Sequence, residues 1–350
     1  MPVLSIVLSL LTLATPTALQ EGPELAFAHE FKAHAMPATH VAFDPRGEFL
    51  ATTSFDGSVK LFSAETFELV TTIHGNRSSL WTVDFSPDGR WIASAGDFEV
   101  FVHERPKKKK QTEWKEVASL SIRAFDREKA GSCFDLNFSL DGKLLFVGTF
   151  EGEVDVWDTK KWKKADSCAD FEGYPDGSMV EFLSMHPDGK TVLAGGKTKS
   201  TRILRVGKPK KNKLGNPKDD RKKGWTTLEK FPDEKGTHRM CGQFSPDGKE
   251  FVLGGTDGRL QVFSCKTWKE TESIRAHPGE FSAALAYARD GAVLVTAGST
   301  LKLWDTKTWK PIGQLALDQD AQHMAVSSDG KRIAIACAEG GVKIFDVPGE

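Results

Sequence analysis

The sequence predicts an all-β fold, a single ring of seven four-stranded sheets that follows a short apolar leader. Two observations support this prediction: a glycine-containing turn recurs seven times, and an alternating apolar run stands on each side of every copy. The composition agrees, since 32 Gly and 16 Pro are spread along 350 residues that are 39% hydrophobic. Many short strands joined by tight turns have this composition.

The recurring turn joins the first two strands of each unit. Pro sets φ at the start of the turn, Asp caps it, and Gly takes the conformation with positive φ. A third strand follows after another turn, as in Val59–Phe62 and Leu301–Trp304, and a fourth strand leads to the next unit. The seven copies are Asp44–Gly47, Ser86–Gly89, Ser139–Gly142, His186–Gly189, Ser245–Gly248, Ala288–Gly291 and Ser327–Gly330.

Four strands in a period of roughly 40–45 residues match the blades of a β-propeller. The chain resembles the WD-repeat family over about residues 24–349. The resemblance implies a seven-bladed β-propeller in residues 21–350, with the first strand of each blade on a central channel. The last copy ends after its third strand, whereas a spare strand at 24–31 precedes the first copy. We expect this spare strand to complete the last blade and close the ring.

Blades of the WD-repeat family are braced by His, Ser or Thr, Asp and Trp side chains that hydrogen-bond in series. Blade 1 comes close to the pattern but has Phe62 where the family has Trp. A catalytic triad is disfavoured, because no strained Gly-x-Ser-x-Gly turn lies near these residues. The resemblance implies a structural role for His34, Thr52, Asp56, Trp157, His277 and Trp304.

Residues 1–20 are predicted to be a signal peptide, with cleavage after Ala14 or Gln20. The segment from Leu4 to Ala14 is apolar, no charge precedes Glu21, and the apolar run is too short to span a bilayer. A periplasmic or secreted protein follows from this interpretation. A disordered apolar terminus or a buried strand, in a cytoplasmic protein, is the alternative.

Composition excludes several function classes. The formal net charge of −1 gives no overall electrostatic attraction to nucleic acid or membranes. No other apolar run is long enough to cross a membrane, and neither His nor Cys residues show metal-ligand spacing. A phosphate-binding loop is not expected at Gly195–Thr198, because Thr191 stands where its first Gly would be. We therefore expect no catalytic residue, cofactor or metal.

One candidate binding surface is the mouth of the channel, on the face that carries the second-to-third-strand turns. Aromatic and Arg residues at an exposed centre are common interface anchors. The alternative is that the aromatic rings only pack between blades. The candidate residues are Trp81, Phe134, Arg77, Phe55, Arg239 and Glu181.

A second candidate surface lies on the opposite face, where two Lys-rich insertions separate the third and fourth strands of blades 2 and 4. An anionic polymer or surface is the expected ligand, whereas solubilising hairpins are the alternative. Its candidate residues are Lys107, Lys108, Lys109, Lys110, Lys210, Lys211, Lys222 and Lys223.

The sequence as a whole predicts an exported, monomeric, non-catalytic scaffold for protein–protein interactions. The alternatives are a binder of anionic polymer through the Lys-rich face and, less favoured, an enzyme with its site at the channel mouth. The mouth offers one acid, Glu181, and no acid–base pair in the sequence pattern.

Overall fold

The computed structural model describes residues 25–74, 78–97, 99–108, 112–122, 132–150, 152–168, 179–198, 200–206, 225–232 and 237–347. The predicted leader at 1–20 lies outside these residues. The strands form seven four-stranded antiparallel sheets. The innermost strands of successive sheets contact one another, and the seventh returns to the first. The predicted seven-bladed β-propeller is therefore confirmed.

The strands of each blade are lettered a to d from the channel outwards, and β1 (Ala26–Lys32) stands before the first complete blade. The strands of blades 1 to 3 are β2 (Ala38–Phe43), β3 (Phe49–Ser54), β4 (Ser58–Ser63) and β5 (Leu69–His74); β6 (Leu80–Phe85), β7 (Trp91–Gly96), β8 (Glu99–Glu104) and β9 (Lys115–Ser121); and β10 (Cys133–Phe138), β11 (Leu144–Thr149), β12 (Val154–Asp158) and β13 (Lys163–Cys168).

Blades 4 to 7 continue the same order, and a short 3-10 turn at Arg289–Gly291 lies within blade 6. Their strands are β14 (Phe182–Met185), β15 (Thr191–Gly195), β16 (Ser200–Val206) and β17 (Trp225–Pro232); β18 (Arg239–Phe244), β19 (Glu250–Gly255), β20 (Arg259–Ser264) and β21 (Glu270–Arg275); β22 (Ala284–Ala288), β23 (Val293–Ala297), β24 (Thr300–Asp305) and β25 (Lys310–Ala316); and β26 (Ala321–Val326), β27 (Arg332–Cys337) and β28 (Gly341–Asp346).

The N-terminal strand closes the ring, as the sequence predicts. β1 pairs antiparallel with β28 and is the d strand of blade 7. In every blade the d strand carries one extra residue opposite the same point of the c strand, and in β1 this residue is Ala28. β1 thus reproduces the geometry of the other six d strands. Lys343 on β28 strengthens the closure, because its ammonium lies 3.0 Å from Glu30 and 2.9 Å from Asp318.

Apolar side chains fill the spaces between neighbouring blades. One cluster joins Val295 and Leu303 of blade 6 to Ile333 and Ile335 of blade 7, all fully buried. Similar clusters join the other blades, so burial of apolar surface holds the ring together.

The turns between c and d strands add an aromatic wedge. In four of these turns an aromatic residue has a positive φ between 50° and 58°, a conformation that L residues rarely adopt. Trp162 packs against Trp91 of the preceding blade, with ring centroids 5.2 Å apart. Packing of this kind offsets the backbone strain. The four wedges are Phe67, Trp162, Trp268 and Trp309.

Candidate functional site: the channel and its mouth

Seven equivalent residues, each near the start of an a strand, surround the channel mouth, and they include the predicted Trp81, Phe134 and Glu181. In five blades the residue is a β-bulge, an extra residue that the b strand does not pair. A bulge re-aims a side chain, and these residues line a cavity of about 850 Å³. The seven are Thr39, Trp81, Phe134, Glu181, Met240, Ala283 and Gln322.

Aromatic rings form a continuous row on one side of the mouth. Trp81 contacts Phe55 edge to face at 4.7 Å between centroids, and contacts Phe134 at 5.1 Å. Phe150 extends the row from Phe134 at 6.1 Å. All four rings are partly exposed. The structure therefore brings the predicted Trp81, Phe134 and Phe55 into contact with one another while leaving part of each ring open.

Hydrogen bonds fix the indole of this row. Trp81 Nε1 donates to Asp97 Oδ1 at 3.4 Å, and the Ser132 hydroxyl donates to the same oxygen at 2.7 Å. Asp97 thus holds the edge of the ring while the face remains available. An aromatic side chain that is already oriented loses little conformational entropy when a partner binds.

Two of the other candidate residues occupy different environments. Glu181 lies at the mouth in the blade after Phe134, and burial raises the pKa of its carboxyl to about 7. Its Oε2 has no hydrogen-bond partner among the described residues. Arg239 was expected to be an exposed anchor of the interface. It is instead buried, and its guanidinium donates to Gln261 Oε1. Arg77 lies outside the described residues.

Polar side chains inside the channel cap backbone N–H groups of the next blade. The a strands have no neighbouring strand on the channel side, so their inner N–H groups need other acceptors. Asp84 Oδ2 accepts from Phe138 N at 3.1 Å, and Asp135 Oδ2 accepts from Leu183 N at 2.6 Å. The chain of caps continues around the ring through Ser184 and Gln243, which accept from the a strands of blades 5 and 6.

Burial changes the ionisation of both channel carboxyls. Burial raises the pKa of Asp84 to about 7, although the N–H groups of Phe138 and Phe85 oppose the shift. Burial likewise raises the pKa of Asp135 to about 7, and the nearby Asp84 adds to this effect. Asp84 keeps part of its surface open to the channel. Both carboxyls are therefore poised to change charge near neutral pH.

Two histidines stack beside this pair. The ring centroids of His40 and His323 are 3.3 Å apart, and His40 Nε2 lies 3.9 Å from Asp135 Oδ1. Burial lowers the pKa of His323 to about 4, and burial followed by the charge of His323 lowers that of His40. Both rings are thus neutral at pH 7. Sequence reasoning missed this cluster, because residues from blades 1, 2, 3 and 7 meet only when the ring closes.

The channel carboxyls accept hydrogen bonds from backbone N–H groups of the neighbouring blade. Among the described parts of the chain, no three His, Cys, Asp or Glu side chains come together as metal ligands. No helix in these parts is both long and apolar enough to cross a membrane.

The residues that the resemblance identified as braces form two hydrogen-bonded series. In blade 1, His34 Nδ1 lies 3.0 Å from Asp56 Oδ2, and His34 Nε2 lies 2.8 Å from Thr52 Oγ1. In blade 6, Trp304 Nε1 donates to Thr296 Oγ1 at 3.0 Å, and that hydroxyl lies 2.9 Å from His277 Nε2.

The series in blade 6 depends on a residue that sequence reasoning did not single out. Thr296 occupies the same b-strand position as Thr52, two residues beyond the partner of the Trp or Phe on the c strand. In blade 3 this position is Val147. Trp157 Nε1 is consequently buried with no hydrogen-bond partner among the described residues.

The Lys-rich face is only partly described. Lys107 and Lys108 follow the c strand of blade 2 and are exposed, as the sequence predicts for an insertion. The remaining basic candidates lie outside the described residues, namely Lys109, Lys110, Lys210, Lys211, Lys222 and Lys223. Three other c–d turns also carry lysines, and in each of them a Trp lies between two lysines of the sequence, namely Trp162, Trp268 and Trp309.

Comparisons with known proteins agree with this geometry. The family model described as WD domain, G-beta repeat matches residues 26–63 and 67–104. These ranges run from β1 through the c strand of blade 1, and from Phe67 through the c strand of blade 2. Each match therefore joins the d strand of one blade to the first three strands of the next.

Several curated proteins are similar at low identity. WD repeat-containing protein SL1-17 of Schistosoma mansoni is 23% identical over 188 residues, which cover 52% of this chain and 55% of that protein. Pre-mRNA-processing factor 17 of Homo sapiens is 24% identical over 79% of this chain and 44% of its own length. Telomerase protein component 1 of Mus musculus is 23% identical over 88% of this chain and 10% of its own length.

The matched region thus spans about half or less of the length of these relatives. WD40 propellers are typically non-catalytic scaffolds for protein interaction. The seven sheets, the closing strand and the family match lead to one assignment: this chain belongs to the WD40 repeat family.

Proposed function

We propose that the protein is a non-catalytic scaffold that binds a partner protein at the channel mouth. The observation that carries the proposal is the row of partly exposed rings formed by Phe55, Trp81, Phe134 and Phe150. Aromatic side chains that are rigidly held and open on one face are frequent hot spots of protein interfaces. The propeller supplies the rigidity, because three separate blades contribute the rings.

Site-specific cross-linking tests this proposal. A photoreactive phenylalanine analogue replaces Phe134, and the same analogue replaces Leu69 as the control, because Leu69 is 53% exposed on an outer strand. We expect a defined protein to cross-link at position 134 and not at position 69. The double variant Trp81→Ala, Phe134→Ala should retain the fold and lose that protein in a pull-down at high salt.

Two outcomes would contradict the proposal. Equal cross-linking at both positions would show that the mouth has no preference for a partner. A bound ligand that salt elutes from the protein, and that the double variant still binds, would place the binding site on the Lys-rich face instead. That outcome would favour an anionic polymer as ligand.

The apolar segment from Leu4 to Ala14 supports the further proposal that this scaffold is exported. The N-terminal sequence of the protein isolated from its native host tests it. A mature chain that begins at Thr15 or Glu21, recovered outside the cytoplasm, would support export. An intact N-terminus in the cytoplasmic fraction would refute it.

A further inference from the structure

A second cavity lies between blades 2 and 3, on the Lys-rich face and therefore away from the channel mouth. This cavity, the rim groove, has a volume of about 690 Å³. It runs from Leu140 in the a–b turn of blade 3 to Val117 on the d strand of blade 2. Leu140 is 50% exposed and Val117 is 38% exposed. Apolar side chains that cluster in an exposed groove are a common mark of an interaction site.

Two indoles form the floor of the rim groove. Trp91 begins the b strand of blade 2, and Trp162 is the aromatic wedge of blade 3. Their ring centroids are 5.2 Å apart, and both rings are partly exposed. The guanidinium of Arg90 lies 4.7 Å from the centroid of Trp91 and pairs with Glu104 at 2.9 Å. The floor is thus held in one orientation, which lowers the entropy lost when a ligand covers it.

The equivalent groove between blades 1 and 2 is closed by the chain itself. Phe49 holds in blade 1 the position of Trp91, and Trp114 packs against Phe49 at 6.1 Å between centroids. The guanidinium of Arg105 covers both rings, at 5.0 Å from the centroid of Phe49 and 5.4 Å from that of Trp114. Trp114 is consequently only 7% exposed. The other five blades have no aromatic residue at this position, but Leu144, Thr191, Glu250, Val293 and Arg332.

The rim groove lacks such a cover because blade 3 has a short side chain at the position of Arg105. Arg105 and Thr159 each donate a backbone N–H to the residue that precedes the b strand of the same blade, Arg90 and Lys143 respectively. The hydroxyl of Thr159 donates to the carbonyl of Gly142 at 2.6 Å. Threonine is too short to reach across the two indoles, so part of each ring stays open to a ligand.

The acids of the rim groove are already engaged. Asp88 accepts from the backbone N–H of Arg90 at 2.9 Å, and Glu104 pairs with the guanidinium of the same residue. Asp141 pairs with Lys143 at 2.8 Å. A basic ligand would therefore have to displace an existing contact.

The cations of the rim groove favour an acidic ligand. In the covered groove Glu48 lies 2.6 Å from the guanidinium of Arg105, whereas Arg90 holds the position of Glu48 in the rim groove. Lys160 lines the rim groove and is exposed, and no carboxylate of the described residues forms an ion pair with it. Lys161 follows it and is also exposed. A ligand of negative charge is complementary to this arrangement.

We propose that the rim groove binds a short segment of a partner protein in which an aromatic or leucine side chain is flanked by acidic residues. The apolar side chain takes the place that Arg105 has in the covered groove, and it lies on the two indoles against Leu140. A carboxylate beside it pairs with Lys160. The rim groove and the channel mouth lie on opposite faces, so this inference goes beyond the proposed function and does not depend on it.

Three related peptides test the inference on the full chain by titration calorimetry. The probe is acetyl-Asp-Glu-Phe-Leu-Glu-Asp-amide, for which we expect a Kd on the order of 0.1 mM. One control peptide replaces Phe and Leu by Ser and keeps the acids. The other replaces the acids by Asn and Gln and keeps the apolar pair. Each control should bind at least about tenfold more weakly, because each loses one of the two complementary features.

Variants with matched controls locate the peptide. Leu140→Ser should weaken the probe about tenfold, and the turn accommodates serine, since Ser328 holds the equivalent position in blade 7. Lys160→Glu should weaken it about fivefold. The controls are Leu69→Ser, at a residue that is 53% exposed outside the rim groove, and Lys307→Glu, at the same turn position of blade 6. Both controls should bind like the wild type.

Absence of binding at about 1 mM probe would overturn the inference, as would an affinity that Leu140→Ser leaves unchanged. A Ser-substituted peptide that binds as tightly as the probe, and that heparin displaces, would point to an anionic polymer instead of a protein segment. Loss of the probe in the double variant Trp81→Ala, Phe134→Ala would place the peptide at the channel mouth and refute the rim groove. Specific binding that survives in this double variant would support the inference even if position 134 cross-links to no protein.

Discussion

The hydrogen-bonded series in blade 6 predicts a large effect of one conservative substitution, Thr296→Val. Thr296 is fully buried, and its hydroxyl joins two buried partners. Trp304 Nε1 donates to it, and His277 Nε2 lies 2.9 Å from it. Valine preserves the volume of the side chain and the β-branched shape that suits a strand. The substitution therefore removes the hydroxyl with little change in packing.

The expected cost follows from the two groups that lose a partner. Each buried polar group left unsatisfied costs about 1–3 kcal/mol, so we expect the free energy of unfolding to fall by about 2–6 kcal/mol. The reciprocal substitution in blade 3, Val147→Thr, supplies the acceptor that Trp157 Nε1 lacks. We expect it to raise the free energy of unfolding by about 1 kcal/mol.

Urea unfolding followed by Trp fluorescence measures both effects. The transition midpoint should shift in opposite directions for the two variants, with the slope unchanged. The control is Val147→Thr in a Trp157→Phe background, where the gain should disappear. A loss below about 0.5 kcal/mol for Thr296→Val would refute the argument, because that is the range of neutral surface substitutions.

Three further predictions concern closure, pH and the turns. The double variant Glu30→Gln, Asp318→Asn removes both counter-charges of the Lys343 ammonium and should lower the urea midpoint, whereas adding Lys343→Met should restore most of the loss. Urea midpoints that match the wild type would contradict this. Glu181 binds its proton more tightly in the folded protein, since its pKa is raised from 4.5 to about 7, and its ionisation therefore opposes folding. The variant Glu181→Gln should become more stable relative to the wild type as the pH rises from 4.5 to 7, and parallel pH profiles from thermal melts would refute the assignment. Trp268→Gly relieves a φ of 56° at about 1 kcal/mol but loses a packed indole worth about 3–5 kcal/mol; a melting temperature that rises would show that strain dominates.

The turn chemistry is the reason that the fold could be predicted from the sequence. Gly47 and its six equivalents all have positive φ, a conformation that glycine adopts readily, and their recurrence gives the number of blades. The closing strand was predictable because the last copy lacks a fourth strand. Such features are local, and local sequence determines them.

The site was predictable only in part, because it depends on contacts between distant blades. Trp81 and Phe134 could be placed at the mouth from their position in the repeat. The role of Asp84 could not, since capping the N–H of Phe138 requires knowledge of how neighbouring a strands are staggered. Arg239 was misjudged for a related reason. Met240 is the bulge residue and lines the channel, whereas Arg239, one residue earlier, is buried against Gln261.

The closing strand also has a consequence for how the protein is made. β1 is the first strand of the ring to leave the ribosome, and its partner β28 is the last. Until β28 has been synthesised, β1 presents two unpaired edges and its apolar Phe31 to any neighbouring chain. The same arrangement places Ala26 opposite Asp346, so both ends of the ring meet at one strand pair. A short linker could join them and new termini could be opened between two other blades, giving a permuted chain in which every blade is continuous.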